Sequence, residues 1–169
     1  MSIKEILTYP DSRLKQESSE VEKFDDLLQS IIQDLEDTMG EGPGAVGIAA
    51  PQIGYPIRAV IVDVSSRKKI KHHGHLVLIN PEITEWDGLK TGREGCLSVP
   101  DFTGNVVRAE KIKLNAYNQF GESLDFEMEG YEARAVQHEI DHLDGLLFLD
   151  RLVSRKNDLF KRKTISKKI

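Results

Sequence analysis

Residues 137–143 read Gln-His-Glu-Ile-Asp-His-Leu, and the apolar residues before them follow a helical period from Tyr131 onward. On a helix, His138 and His142 project from the same face, because they are four residues apart. Two imidazoles so placed can bind one metal ion, and Glu139 beside them can move a proton during hydrolysis by a metal-bound water. We therefore predict a metal-binding helix at the centre of the fold.

The chain has a single cysteine, Cys96, in the loop-like stretch 94–100, Glu-Gly-Cys-Leu-Ser-Val-Pro. One thiolate with two imidazoles suits Zn(II), Fe(II), Co(II) or Ni(II) and leaves one tetrahedral position for water. A lone cysteine is also commonly a small buried hydrophobic residue, so both interpretations stand at this point. A single cysteine cannot form an internal disulfide.

Three further histidines, His72, His73 and His75, form a second cluster that could bind a metal ion. They lie in or beside the polar segment 65–74, which we predict to be a loop. No acid or amide motif is evident in the sequence around them, so we expect a solvated loop rather than a metal site.

Polar side chains near the two motif histidines could support the chemistry. Gln137 or Asp141 could accept the outer N–H of an imidazole, which metal-binding histidines usually require. In residues 47–52, Gly-Ile-Ala-Ala-Pro-Gln, the small residues permit close backbone approach, and Gln52 could offer its amide to a developing oxyanion. A tight, packed turn is the alternative interpretation of that segment.

Hydrophobic periodicity predicts an α+β fold, with small antiparallel or mixed sheets packed around the central helix. An amphipathic helix is predicted over 24–39, and a basic C-terminal helix over 154–169. The predicted strands are 58–64, 76–79, 82–91 with a turn at 87–88, 106–107, 112–117 and 124–128.

The length of 169 residues predicts one domain, residues 1–169. A net charge of −5 argues against a general nucleic-acid binder, and no apolar run approaches the length of a membrane span. The first residues resemble neither a signal peptide nor a transit peptide, so we expect a cytoplasmic protein. The basic segment 154–169 could be a solvated helix end or could contact ribosomal RNA.

Three segments, taken in order, resemble the peptide deformylase family. They are residues 45–52, Ala-Val-Gly-Ile-Ala-Ala-Pro-Gln, residues 94–98, Glu-Gly-Cys-Leu-Ser, and residues 137–143. The resemblance runs from the opening residues to about Arg151. Ala45 stands where the family usually has glycine, and its methyl group could narrow the substrate cleft or shift the loop. Asp101 stands where many members have glycine.

The resemblance implies removal of the formyl group from the N-terminal formyl-methionine of newly synthesised polypeptides, with release of formate. It implies one divalent ion, commonly Fe(II), with Zn(II), Ni(II) or Co(II) also accepted. Its ligands would be Cys96, His138 and His142. A metal-bound hydroxide would attack the formyl carbon, with Glu139 as general acid and base. The Gln52 amide and the Leu97 backbone N–H would meet the oxyanion.

The substrate would lie extended, as an added strand, between the segment of Val46 and Gly47 and the region of Gly95. Candidate walls of a methionine pocket are Val46, Tyr131, Arg134 and Ala135. Glu94 is expected to pair with Arg108 and hold the cysteine loop, although an exposed pair would contribute little.

Two other functions are compatible with parts of this pattern. A zinc peptidase shares the two-histidine motif but generally takes its third ligand downstream, whereas Cys96 lies upstream. A non-enzymatic metal-binding or ribosome-docking module is the second alternative. The presence of Glu139, Gln52 and both histidines argues against such a module. Ala45, which stands where the family usually has glycine, is the one feature that keeps this alternative open.

Overall fold

A computed structural model describes residues 2–42 and 44–162 of the chain. Two α-helices and six strands make up the regular structure of this part, together with three short 3-10 helices. The helices are α1, Asp26–Gly40, and α2, Gly130–Leu143. The strands are β1, Gly47–Ala49; β2, Ala59–Val62; β3, Leu76–Cys96; β4, Val99–Tyr117; β5, Ser123–Glu129; and β6, Leu159–Lys161. The α+β class and the helix predicted from Tyr131 to Leu143 are confirmed.

The strands form one antiparallel sheet in the order β1-β2-β3-β4-β5. Strand β6 pairs with residues 102–104, near the beginning of β4. Its dominant feature is the long hairpin of β3 and β4, paired from Ile79 with Tyr117 down to Cys96 with Val99. The hairpin turn places Cys96 at the very end of β3, so the cysteine lies in a strand end rather than in an irregular loop.

The predicted turn at 87–88 is wrong. Asp87 pairs with Lys111 and Leu89 with Ala109, so β3 continues straight through Gly88. Gly88 has a positive φ of 72° within the strand, a backbone conformation that residues with a side chain rarely adopt. A glycine that reads as a turn in the sequence can be absorbed within a strand when the partner strand is continuous.

Helix α1 begins directly after Asp25, its N-cap residue. The Asp25 carboxylate accepts a hydrogen bond from the Leu28 backbone N–H at 3.0 Å. This cap satisfies one of the N–H groups that the first helical turn leaves without a partner. The apolar stripe of the helix then packs on the outer face of the first strands. The core residues on the two sides are Leu28, Ile31, Ile32, Leu35, Ile48, Ile61 and Ile79.

Helix α2 lies against the opposite face of the sheet and contacts β1, β2, β4 and β5. Its apolar side joins a second core cluster that includes Ala133, Val136, Ile140, Leu143, Val60, Leu78, Leu114 and Met128. The helix ends before Gly145, whose φ is 76° and whose missing Cβ would lie 2.4 Å from the Lys15 carbonyl oxygen. Because α2 is buried on nearly all sides, its functional residues are held by the whole fold.

The predicted C-terminal helix is wrong for residues 154–162. Residues 159–161 form β6, in which Phe160 pairs with Thr103 and Lys161 with Phe102 of β4. The open edge of β4 supplies hydrogen bonds that an isolated basic helix would lack, so tertiary pairing overrides the local helical pattern. The rest of the predicted basic helix, residues 163–169, lies outside the described residues. Within the described chain, no helix has the length and apolar character needed to span a membrane.

We expect Leu35→Ala to lower the free energy of unfolding by about 2–5 kcal/mol, because it leaves a cavity at a site with no solvent exposure. Urea denaturation would measure the change. Leu27→Ala on the same helix is the control, since Leu27 is 67% exposed and its loss should stay within about 0.5 kcal/mol. Equal effects of the two substitutions would contradict the packing described for α1.

Candidate functional site

The end of β3 and the middle of α2 bring together Cys96, His138 and His142. Their ligand atoms all lie within 4.8 Å of one another, and the Cys96 Sγ is 3.3 Å from the His142 Nε2. All three side chains are buried. In a tetrahedral site with metal–ligand distances of about 2.0–2.3 Å, ligand atoms are roughly 3–4 Å apart. One sulfur and two nitrogens at this spacing fit a single divalent ion.

Two N–H donors fix the position of the cysteine sulfur. The Ser98 backbone N–H points at the Cys96 Sγ from 3.4 Å, and the Gln52 Nε2 lies 3.6 Å from it. The Gln52 side chain is itself held, because its Oε1 accepts from the Ala49 N–H at 2.9 Å and its Nε2 donates to the Ser98 Oγ at 3.0 Å. Residues 47–52 therefore form the tight, packed turn that was one of the two interpretations of the sequence. The same turn places the Gln52 amide beside the Cys96 sulfur.

The outer nitrogen of His138 is held by Glu94, whose Oε1 lies 2.9 Å from the His138 Nδ1. Glu94 also receives two hydrogen bonds from Arg108, both of 2.9 Å, and one of 2.7 Å from Arg134. The predicted pair of Glu94 and Arg108 is confirmed, and it is buried rather than exposed. Burial alone raises the pKa of Glu94, but hydrogen bonds from Arg108 and His138 outweigh it and hold the pKa well below its usual range.

The supporting roles expected of Gln137 and Asp141 are not observed. Gln137 instead bonds to the backbone of Ala109, where its amide meets both the N–H and the carbonyl at 2.9 Å. Asp141 pairs with Arg108 and with Arg151. These polar groups reinforce the sheet and the Glu94 network rather than orienting an imidazole directly.

The second motif histidine, His142, keeps an unpartnered outer nitrogen. Its Nδ1 is buried and makes no hydrogen bond within the described residues. The orientation of this ring therefore comes from packing within α2 and from the contact of its Nε2 with the cysteine sulfur.

Glu139 projects from α2 into the space beneath β1. Its carboxylate lies so close to Gly47 that a Cβ at that glycine would be 2.5 Å from the Glu139 Oε2. Its Oε1 is buried and has no hydrogen-bond partner within the described residues. Burial raises the pKa of Glu139 to about 7. A buried carboxylate oxygen without a partner is rare in proteins and calls for an explanation such as a catalytic role or a bound water.

A cleft of about 290 Å³ opens over these residues. Every side chain or backbone segment predicted to touch substrate lines it: Val46, Gly47, Gln52, Gly95, Leu97, Tyr131, Arg134 and Ala135. Ala45 is not among the residues that line the cleft. The Ala45 N–H instead donates to the Gly42 carbonyl in the preceding turn at 3.1 Å.

Two lining residues, Arg67 and Arg93, were not predicted as parts of the site, and Glu94 was predicted only to hold the cysteine loop through Arg108. Glu94 could have been suspected from its position two residues before Cys96, but its contact with His138 spans 44 residues of sequence. Arg67 comes from the polar segment 65–74, and no local pattern indicated that this loop reaches the cleft.

The histidine cluster has acidic partners, contrary to the expectation of a plain solvated loop. The His73 Nδ1 is 2.6 Å from Glu132, and the His75 Nε2 is 2.7 Å from Glu36. These contacts fasten the loop to α2 and α1. No metal-type grouping of these histidines occurs within residues 2–42 and 44–162.

We expect Glu94→Gln to weaken divalent-metal binding by about 10–100-fold, because it removes the charged partner of the His138 imidazole. Competition of Co(II) against a chelator, followed by absorption, would measure the affinity. Glu132→Gln is the control, since Glu132 is also buried and also contacts a histidine, His73. The same affinity in both variants, with folding checked by circular dichroism, would contradict this role of Glu94.

Comparison with known proteins places this arrangement in a family. The sequence model described as polypeptide deformylase matches residues 3–158. A peptide deformylase of Syntrophobacter fumaroxidans is 42% identical over 163 residues, covering 96% of this chain and 94% of the relative. Peptide deformylase 1 of Bacillus subtilis is 43% identical over 152 residues, covering 90% of this chain and 91% of the relative.

Solved structures agree with the sequence comparison. A peptide deformylase from Legionella pneumophila superposes with a TM-score of 0.83 and 43% identity, covering 92% of this chain and 90% of that one. A Met-Ala-Ser-bound class I type b peptide deformylase from Acinetobacter baumannii gives a TM-score of 0.82 and 34% identity, covering 89% and 100% of the two chains. Matches of this extent and identity leave one assignment: the chain belongs to the polypeptide deformylase family and is an enzyme of the peptide deformylase class.

Proposed function

We propose that the cleft receives the formyl-methionine end of a newly made polypeptide and that its formyl group is hydrolysed there to formate. One observation carries the proposal. A compact set of one thiol and two imidazoles lies in the same cleft as a buried carboxylate oxygen of Glu139 that has no partner among the described residues. Hydrolysis of an amide needs both an activated water and a group that moves its proton.

Cys96, His138 and His142 would hold the divalent ion. When bound, such an ion lowers the pKa of a water ligand to about 7 and so supplies a nucleophile near neutral pH. A mixed sulfur and nitrogen donor set accepts Fe(II), Zn(II), Ni(II) or Co(II), and we propose Fe(II) from the family resemblance.

Glu139 is proposed to accept a proton from the attacking water and to deliver it to the nitrogen that leaves. The C–N bond of the formamide breaks, its carbon departs as formate, and the peptide is released with a free amino group. The close approach of Glu139 to Gly47 supports this role, because it holds the carboxylate at the wall where a substrate strand would pass.

The Gln52 amide and the Leu97 backbone N–H are proposed to bind the oxygen of the formyl group as negative charge develops on it. Gln52 is suited to this because its Oε1 is already engaged with the Ala49 N–H, which directs the Nε2 toward the Cys96 side of the cleft. Donors that are fixed before reaction need no reorganisation in the transition state.

The substrate is proposed to add as a strand beside β1. Among the described residues, β1 lies at the end of the sheet order and pairs with β2 alone, which leaves main-chain groups on its other edge for a substrate strand. The Ala49 N–H is not one of them, because it donates to the Gln52 Oε1. Such pairing accepts any sequence, while the pocket walls of Val46, Tyr131, Arg134 and Ala135 would select methionine.

Two associated proposals concern the setting of the reaction. The basic end of the chain could contact ribosomal RNA, although residues 163–169 lie outside the described part. A cytoplasmic location fits an enzyme that acts on nascent polypeptides. No observation in the site favours a zinc peptidase or a non-enzymatic module.

We expect Glu139→Ala to lower formate release from formyl-Met-Ala-Ser by a factor of about 10²–10⁴. The other carboxylate among the described lining residues, Glu94, is already engaged by Arg108, Arg134 and His138. The protein should be purified without oxygen or loaded with Ni(II) or Co(II), and the metal content of both proteins should be matched. Unformylated Met-Ala-Ser should not be cleaved by either protein. A metal-loaded, folded protein that releases no formate would overturn the proposed function.

Gly47→Ala should reduce formate release by about 10–100-fold, since the new methyl group would force the Glu139 carboxylate away from a contact of 2.5 Å. The control is Gly40→Ala, because a Cβ at Gly40 would meet nothing within 4 Å. Comparable activity in the two alanine variants would show that the carboxylate does not need its position beneath β1.

A further inference from the structure

Three arginines line the cleft: Arg67, Arg93 and Arg134. The charge of Arg134 is already matched, since its guanidinium donates to Glu94 at 2.7 Å and to the carbonyls of Lys90 and Val106 at 2.6 and 3.0 Å. Arg67 and Arg93 differ from Arg134 in their partners. Neither forms an ion pair with a carboxylate within residues 2–42 and 44–162.

Arg67 is held over Tyr131 of helix α2. Its guanidinium carbon lies 4.6 Å from the ring centroid, and its Nη2 donates to the Tyr131 hydroxyl at 3.0 Å. A guanidinium stacked on an aromatic ring keeps its charge while losing part of its freedom. Arg67 is therefore an exposed cation with a defined position at the edge of the methionine pocket.

Arg93 is fixed in the same manner from strand β3. Its guanidinium carbon lies 3.8 Å from the centroid of Phe160, which β6 brings beside β4. Its Nε donates to Asn105 at 3.1 Å and its Nη1 to Thr103 at 3.4 Å. All three partners are neutral, so they orient the group without cancelling its charge.

The lack of a carboxylate partner sets Arg67 and Arg93 apart from most arginines of the described residues. Arginines at five other positions pair with carboxylates: Arg13, Arg58, Arg108, Arg134 and Arg151. The protein as a whole carries a net charge of −5, so two oriented, unmatched cations in one cleft are a local exception. Lys68 and Lys69, both exposed beside Arg67, add to the positive charge on that side.

We propose that Arg67 and Arg93 make the cleft favour polypeptides that carry a carboxylate side chain in the first two residues after the formyl-methionine. The proposal rests on the function proposed above and adds a selectivity to it. A guanidinium has five N–H donors, of which the observed hydrogen bonds use one in Arg67 and two in Arg93. Each group therefore retains donors for a carboxylate, the acceptor that its planar shape matches best.

Solvent access limits the size of the effect. Ion pairs at exposed positions correspond to changes of about two- to fivefold in binding, so each arginine should contribute a preference of that order. Such a preference must weaken with salt, because the Debye length falls from roughly 20 Å at 20 mM to roughly 4 Å at 500 mM ionic strength. A preference that came from shape or hydrophobic contact would not.

The test compares kcat/KM for formate release from isosteric pairs of C-terminally amidated peptides. The first pair is formyl-Met-Asp-Ala and formyl-Met-Asn-Ala, and the second is formyl-Met-Ala-Asp and formyl-Met-Ala-Asn. Amidation removes the terminal carboxylate, so only the side chain can supply the negative charge. The proteins are the metal-loaded enzyme, Arg67→Gln, Arg93→Gln, and the control Arg155→Gln, which removes an exposed charge outside the cleft.

We expect the ratio of kcat/KM for Asp over Asn to exceed one at low salt for at least one position. It should fall by about two- to fivefold in Arg67→Gln or Arg93→Gln and remain at the native value in Arg155→Gln. Formate release at equal rates from Asp and Asn peptides, or a ratio that the cleft variants leave intact, would overturn this inference alone. No formate from any of the four peptides would overturn the proposed function and this inference with it.

Discussion

The carboxylate of Glu94 is the group on which the rest of the site depends. It joins strand β3 to β4 through Arg108 and to helix α2 through Arg134 and His138. Removing two or three charges from water is costly, and the mutual attraction repays this only when nearly every donor and acceptor is satisfied. Here both carboxylate oxygens accept two hydrogen bonds each, and Arg108 continues the network to Asp141. The main effect of this network is therefore to position the His138 imidazole and the end of β3, rather than to stabilise the fold.

Close contacts between glycines and α2 are the second constraint. Gly47 leaves room for the Glu139 carboxylate, and Gly92 leaves room for the guanidinium of Arg134, which a Cβ would meet at 2.8 Å. In each case the absence of a side chain on the strand leaves the space that the end of a long side chain from α2 occupies. The cleft is thus shaped by absent side chains on β1 and β3 as much as by the side chains that line it.

Much of the fold was predictable where the determining interactions are local. The periodicity of α1 follows from its one buried face, and the spacing of His138 and His142 on α2 follows from the helical repeat. The features that could not be predicted all depend on partners distant in sequence. Asp87-Gly88 indicates a turn unless the pairing of β3 with β4 is known. Strand β6 forms because residues 102–104 of β4 offer it main-chain hydrogen bonds.

The strand β1 spans only three residues, Gly47–Ala49. A polypeptide that pairs with so short an edge can make only a few main-chain hydrogen bonds, and each contributes about 0.5–1.5 kcal/mol net in water. Main-chain pairing alone would then retain the chain only briefly. If the substrate pairs with β1 as proposed, so short an edge would favour release of the deformylated product over its tight retention.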